Sequence, residues 1–200
     1  MSDSSQNTPQ DLNRIVADMP SGQPRIIAIA NQKGGVGKTT TAINLGTGLA
    51  AIGRRVLVVD LDPQGNASTG LGIDRTNRRV SSYDVLMGEA TVAEATVPTS
   101  IPGLGIIPST VDLTGAELEL IDLPRRAYRL REALAATGND LDYVLIDSPP
   151  SLNLLTVNAL VAAKSVVVPL QCEFFALEGL SMLMKTIERI RAAFNAELEI

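Results

Sequence analysis

Arg25-Ile-Ile-Ala-Ile-Ala-Asn-Gln-Lys-Gly-Gly-Val-Gly-Lys-Thr-Thr40 decides how the chain folds. Its first six residues form an apolar run short enough for a strand buried on both faces, and a glycine-rich turn follows. Beyond Lys38 the apolar residues Ala42, Leu45, Leu49 and Ile52 recur at spacings of three and four and stop before Gly53. That pattern predicts an amphipathic helix with a glycine stop. Arg55-Val-Leu-Val-Val-Asp60 is the next buried strand. Strand, helix and strand in such close order make a βαβ unit, hence a parallel sheet with a right-handed crossover.

The turn itself carries chemistry. In Lys33-Gly34-Gly35-Val36-Gly37-Lys38-Thr39-Thr40, glycines let backbone N–H groups converge on an anion, and the helix that starts near Lys38 adds the positive end of its dipole. This is the context of a phosphate-binding loop, in which Lys38 reaches the β- and γ-phosphates and the Thr39 hydroxyl meets Mg2+. Gln32 stands where the ordinary pattern has a glycine, and Lys33 is an additional lysine beside it. A dinucleotide site is the nearest rival, since Gly35-Val-Gly37 opens like G-x-G-x-x-G and Asp60 lies at the distance of a ribose-binding acid. Thr40 occupies the third glycine's place, and a lysine at the helix mouth suits a triphosphate better.

Working outward, residues 1–24 are rich in Ser, Gln, Asn, Asp and Pro and predict a disordered tail, with a short helix at Leu12 to Met19. Residues 25–200 then alternate strand and helix as one domain. After a loop from Gly65 to Asn77, the reading gives a helix Ser82 to Met87 and a strand Leu104 to Ile107. Helices Thr114 to Asp122 and Arg125 to Ala136 follow, then the strand Tyr143 to Asp147 and a helix Leu152 to Ala163. A strand Ser165 to Leu170 and a long helix Leu177 to Phe194 come last, and Glu197 to Ile200 looks like the opening of another strand, which suggests a chain incomplete at Ile200. The fold expected is α/β: three layers, a mostly parallel sheet flanked by helices.

Composition removes other chemistries. With no histidine and one cysteine, Cys172, histidine triads, multi-cysteine zinc sites and iron–sulfur clusters lack their parts. A lone cysteine and no signal-peptide-like start point to the cytoplasm, and no apolar run approaches the length of a membrane span. The net charge of −5 argues against a surface that is a nucleic-acid mat, although 13 of the 17 cations are arginines that cluster at Arg75, Arg78, Arg79 and at Arg125, Arg126, Arg129, Arg131. Those clusters read first as solvated faces and second as phosphate contacts. Among acids, Asp60 and Asp62 stand at and beyond a strand end, and Asp147 ends another strand, the placement of a Walker B acid. Each is also a residue that caps turns.

Four blocks resemble one family. KGGVGKTT at Lys33–Thr40 resembles the deviant Walker A box of the ParA/MinD superfamily, and Asp60-Leu-Asp-Pro-Gln-Gly-Asn66 is similar to the switch segment of the ParA (Soj-like) chromosome-partitioning ATPases. Leu145-Ile-Asp-Ser-Pro-Pro150 and the stretch from Pro169 to Leu180 complete the match. The resemblance implies a P-loop NTPase fold and a Mg2+-dependent conversion of ATP to ADP and phosphate. It makes Lys33 the signature lysine that crosses a nucleotide-sandwich homodimer to the partner's phosphates, Asp62 the water-positioning acid, and Asp60 a support of a magnesium site with Thr39 and Asp147. It further implies non-specific DNA binding by the ATP dimer at the nucleoid, weak in a chain cut at Ile200, and stimulation by a ParB-type partner. Two alternatives stay open: a MinD-like membrane-associated division ATPase, which lacks the DPQGN run and carries a C-terminal anchor, and a non-catalytic adaptor clamped by ATP.

Overall fold

The computed structural model describes residues 22–137, 140–171 and 176–200, and of 176–178 the backbone alone. The short helix expected at Leu12 to Met19, and residues 172–175 of the matched stretch from Pro169 to Leu180, Cys172 among them, lie outside these residues. Six strands form one sheet: β1 (Arg25–Ile29), β2 (Val56–Asp60), β3 (Val97–Pro98), β4 (Leu104–Ile107), β5 (Tyr143–Asp147) and β6 (Ser165–Val167). Their order is β3-β4-β2-β5-β1-β6, with only β3 antiparallel. All five residues of β2 are buried, which explains its unbroken apolar sequence: Val56 and Val58 face one layer, Leu57 and Val59 the other.

One layer is α1 (Lys38–Ala51) with α2 (Asn66–Gly70), whose Ala42, Ala50 and Ala67 pack with Ile29, Ile106 and Leu145. The other holds α3 (Ser82–Met87), α4 (Val92–Ala95), α5 (Leu113–Ile121), α6 (Arg129–Ala135), α7 (Leu154–Ala162) and α8 (Ala176–Ala193). Leu183, Ile187 and Ile190 of α8 are buried as its spacing predicts, whereas Met182 and Phe194 are exposed and the Phe194 ring meets Tyr128 at 5.9 Å.

Several boundaries differ from the sequence reading. The loop Gly65 to Asn77 contains α2 and a 3-10 turn at Arg75–Asn77. The second helix of the pair begins at Arg129 because Arg125, after Pro124, takes φ 54, outside the helical region. The strand from Ser165 ends at Val167, short of Pro169, whose missing N–H suits a strand's end. Helix α4 and strand β3 are elements that the sequence pattern does not predict. Glu199 adds a parallel bridge to Ser165, in keeping with a strand opening there.

Helix caps separate scaffold from site. Ser81 and Thr91 open α3 and α4 with complete capping boxes, and Asn153 caps α7. Ser81→Ala removes the acceptor of the Tyr83 N–H and is expected to cost about 1 kcal/mol, lowering the thermal midpoint by roughly 2–4 °C. An unchanged midpoint would show that Asp84 alone holds that end. Helix α1 has no side-chain cap, so its first-turn amides keep no intrahelical acceptor.

Candidate functional site

The loop after β1 is built for an anion. Gly35 and Gly37 take φ 73 and 92, left-handed values that a side chain disfavours, and no atom lies within 4 Å of the place where a Cβ would stand on Gly34, Gly35 or Gly37. The loop therefore leaves open space beside these glycines at the uncapped start of α1. Val36 turns inward and is buried, Thr39 is half-buried and Thr40 exposed. Two polar side chains outside the motif shape the loop. Asn31, buried, accepts from the Lys33 N–H at 3.0 Å and donates to the Pro169 carbonyl at 2.8 Å, and Gln171 donates to the Gly35 carbonyl at 3.2 Å. Lys38 is only 7% exposed, and its ammonium donates to the Lys33 carbonyl at 3.2 Å. Burial lowers its pKa, and the charges of Asp147 and Asp62 partly restore it.

Sheet order brings the acids together. Asp60 and Asp147 are register partners at the carboxyl ends of β2 and β5, and β5 lies beside β1, which delivers the loop. Their surroundings differ. Asp60 accepts from the Ser68 N–H at 2.8 Å, the Ser68 hydroxyl at 2.7 Å and the Asp62 N–H at 3.2 Å. Burial nevertheless pushes its carboxyl up to about 6. Asp147 is fully buried, and neither of its carboxylate oxygens has a hydrogen-bond partner. Burial pushes it up to about 7; the Thr39 hydroxyl beside it, outside hydrogen-bond geometry, and Lys38 favour its charged form, while Asp60 and Asp62 oppose it. Asp62, 7% exposed, accepts from the Gln64 N–H at 2.9 Å and receives the Ser109 hydroxyl on its own carbonyl at 2.6 Å.

The donor set fits magnesium. A buried carboxylate with two unsatisfied oxygens costs free energy unless a cation or water meets it. Among the described residues no cluster of three or more His, Cys, Asp or Glu is arranged to hold a metal alone, so an ion here needs phosphate oxygens and water to complete its shell, as Mg2+ prefers. Asp147 and Thr39 have the chemistry for it; Asp60 spends its bonds on the segment after β2.

The arginine clusters are not shared helical faces. Arg78 is buried, and Arg129 donates to the carbonyls of Leu86 and Met87 at 2.8 and 2.6 Å. Arg125 pairs with Glu132 and sits 4.9 Å from the Tyr128 ring centre, and Arg126 donates to the Ile121 carbonyl at 2.8 Å. Arg75, Arg79 and Arg131 are exposed. A mostly apolar cavity of about 800 Å3 lies at the other edge of the sheet, between Val92, Ala133 and Leu141, away from the loop. Among the described residues no helix is long and apolar enough to cross a membrane.

A glycine loop that joins the first strand to an uncapped helix, with strand-end acids opposite its lysine, defines a P-loop nucleoside-triphosphatase fold of the deviant Walker A kind. The AAA_31 family model, an AAA domain, matches residues 24–200. The chromosome partitioning protein ParA of Caulobacter vibrioides is 65% identical over 184 residues, 91% of this chain and 69% of that protein. The sporulation initiation inhibitor protein Soj of Bacillus subtilis is 52% identical over 176 residues, 88% of this chain and 70% of that protein. Among solved structures, cobyrinic acid a,c-diamide synthase of Mycobacterium smegmatis with a bound ATP analog and magnesium superposes with TM-score 0.85 at 45% identity, covering 88% of this chain and 72% of that one. The chain belongs to the ParA/Soj family of chromosome-partitioning ATPases.

Proposed function

We propose that residues 25–200 form the ATPase domain of a nucleotide-driven dimerisation switch that segregates a chromosome or plasmid. In this reading the loop Lys33–Thr40 holds the phosphates of ATP and ADP with Mg2+, Lys33 reaches across a homodimer, and loss of the γ-phosphate releases the dimer. The ATP dimer binds DNA without sequence preference, a ParB-type protein stimulates turnover, and the protein works in the cytoplasm at the nucleoid. Bound magnesium supplies charge neutralisation on the phosphate oxygens. This chain's own residues do the rest: the loop amides and Lys38 bind and orient the phosphates, Thr39 and Asp147 hold the cation with Asp60 in support, and Asp62 orients the attacking water.

The observation that carries the reading is Asp147, a carboxylate sealed beside Lys38 and Thr39 with no hydrogen bond to either oxygen. The test separates a switch from an ATP-clamped adaptor. Asp62→Ala is expected to keep Mg2+-ATP affinity within about threefold and to lower turnover about 100-fold. Parental turnover that is already negligible, and unaltered in the variant, would favour the adaptor.

A further inference from the structure

We propose that Arg78 is a positioning residue for hydrolysis, whose buried guanidinium clamps the segment from Asp60 to Thr69 onto the end of β4 and thereby fixes Asp62. The proposal rests on the reading of Asp62 as the water-orienting acid.

Arg78 is 8% exposed, and among the described residues it forms no ion pair. Its donors go to main chain and one hydroxyl. Nη1 reaches the Ser109 carbonyl at 3.1 Å and the Gly65 carbonyl at 3.4 Å. Nη2 reaches the Thr69 hydroxyl at 2.8 Å and the Ile73 carbonyl at 2.9 Å, and Nε shares Ile73 at 3.2 Å. One planar group therefore ties both ends of α2 to the residue that follows β4 and Pro108.

Two short routes lead from the guanidinium to Asp62. Ser109, held through its carbonyl, donates its hydroxyl to the Asp62 carbonyl at 2.6 Å. Gly65, also held through its carbonyl, donates its N–H to the same oxygen at 2.8 Å. Ser109 further donates its N–H to the Ser68 hydroxyl at 3.0 Å, and Ser68 donates to Asp60. The glycine of the DPQGN run is explained by the same contact. Gly65 takes φ 65, and a Cβ there would stand 2.3 Å from Arg78 Nη1 and 3.3 Å from the Ser109 carbonyl. A buried cation is a poor way to add stability, since an apolar residue of similar volume often does as well. What the guanidinium adds is a rigid fork that fixes several acceptors at once, which an ammonium on a flexible stem cannot reproduce. Asp60 lies near enough for its charge to favour the guanidinium's charged form against burial.

The test measures Mg2+-ATP affinity and single-turnover hydrolysis on the full chain for Arg78→Ala, Arg78→Lys and Ser109→Ala, with Asp62→Ala alongside. Both Arg78 variants are expected to lose about 100-fold in kcat with Kd within about threefold, because displacement of a positioned group by about 1 Å has that consequence. Methylguanidinium should recover part of the loss in Arg78→Ala and none in Asp62→Ala. Arg78→Ala in an Asp62→Ala background should lower kcat no further. A folded Arg78→Lys with parental kcat, or variants that lose affinity while keeping kcat, would overturn the clamp. Should Arg78→Ala fail to fold, Ser109→Ala decides: it must lower kcat in the same direction, and unchanged turnover overturns the proposal. If Asp62→Ala itself turns over at the parental rate, the reading of Asp62 fails; if only the Arg78 and Ser109 variants do, the clamp alone fails.

Discussion

Asp147→Asn is expected to yield a protein that, without nucleotide, is more stable than its parent at pH 8 and that hydrolyses ATP about 100-fold more slowly or worse. The stability gain follows from linkage. Burial raises the Asp147 carboxyl from its ordinary 3.8 to about 7, so the folded protein holds a proton that the unfolded chain has already released. Folding is therefore favoured most at or below pH 4, weakens as pH rises from 4 to 7, and above 7 carries the whole penalty of a buried charge, on the order of a few kcal/mol. Asp60 adds a smaller decline of the same sign that ends near pH 6. Asparagine removes the Asp147 contribution. It also deprives Lys38 of a nearby negative charge, which opposes the gain, but burial is the largest influence on Asp147 and outweighs that loss.

Thermal unfolding at pH 5 and pH 8 checks both signs. The variant should unfold several degrees above the parent at pH 8, with a gap that narrows towards pH 5. A variant less stable than the parent at pH 8 would mean that the Lys38 attraction dominates. The activity loss has a separate origin: a cation that offsets phosphate charge is worth several kcal/mol in the transition state, and each 1.36 kcal/mol is tenfold in rate. Mg2+ should accordingly protect the parent from heat in the presence of ATP at pH 8 and protect the variant much less.

Local signals made the frame legible and non-local ones did not. The apolar runs ending at Asp60 and Asp147 predicted two buried strands that the structure places at Val56–Asp60 and Tyr143–Asp147. That the two acids are neighbours depends on β5 sitting between β2 and β1, a matter of topology that neither strand's own sequence states. Arg78 is the clearest misreading. In a stretch rich in Asn, Gly and Arg it reads as solvated, and its acceptors Gly65 and Ser109 lie 13 and 31 residues away in the chain. Gly65 carried the available hint, a glycine whose left-handed φ disfavours a side chain and where a Cβ would displace the Arg78 guanidinium. Helix α4 was readable locally, because Thr91 and Glu94 have the spacing of a capping box, but at four residues it offers no periodicity. Asn31 and Gln171 carry no local signal, because β1 and β6 are neighbours in the sheet while their partners, the Pro169 and Gly35 carbonyls, lie 138 and 136 residues away in the chain.

Lys38→Ala tests the phosphate loop without touching its backbone. The ammonium is buried against the Lys33 carbonyl, and burial lowers its pKa by more than the charges of Asp147 and Asp62 restore it, so its charge is incompletely balanced. A triphosphate at the loop would supply that balance, so much of the lysine's value should appear on binding. Truncating one member of a buried, hydrogen-bonded charge pair costs roughly 2–5 kcal/mol, a loss of about 30-fold to several thousand-fold in affinity, and about 100-fold is taken from the lower part of that range. Alanine is a good helix former at the first position of α1, so the fold should persist. Titration calorimetry of Mg2+-ATP into the parent and Lys38→Ala proteins is the most direct measurement. Saturable binding by the parent, weakened about 100-fold in the variant, is the result this site requires; equal affinity in the two proteins would place the phosphates elsewhere and contradict the account.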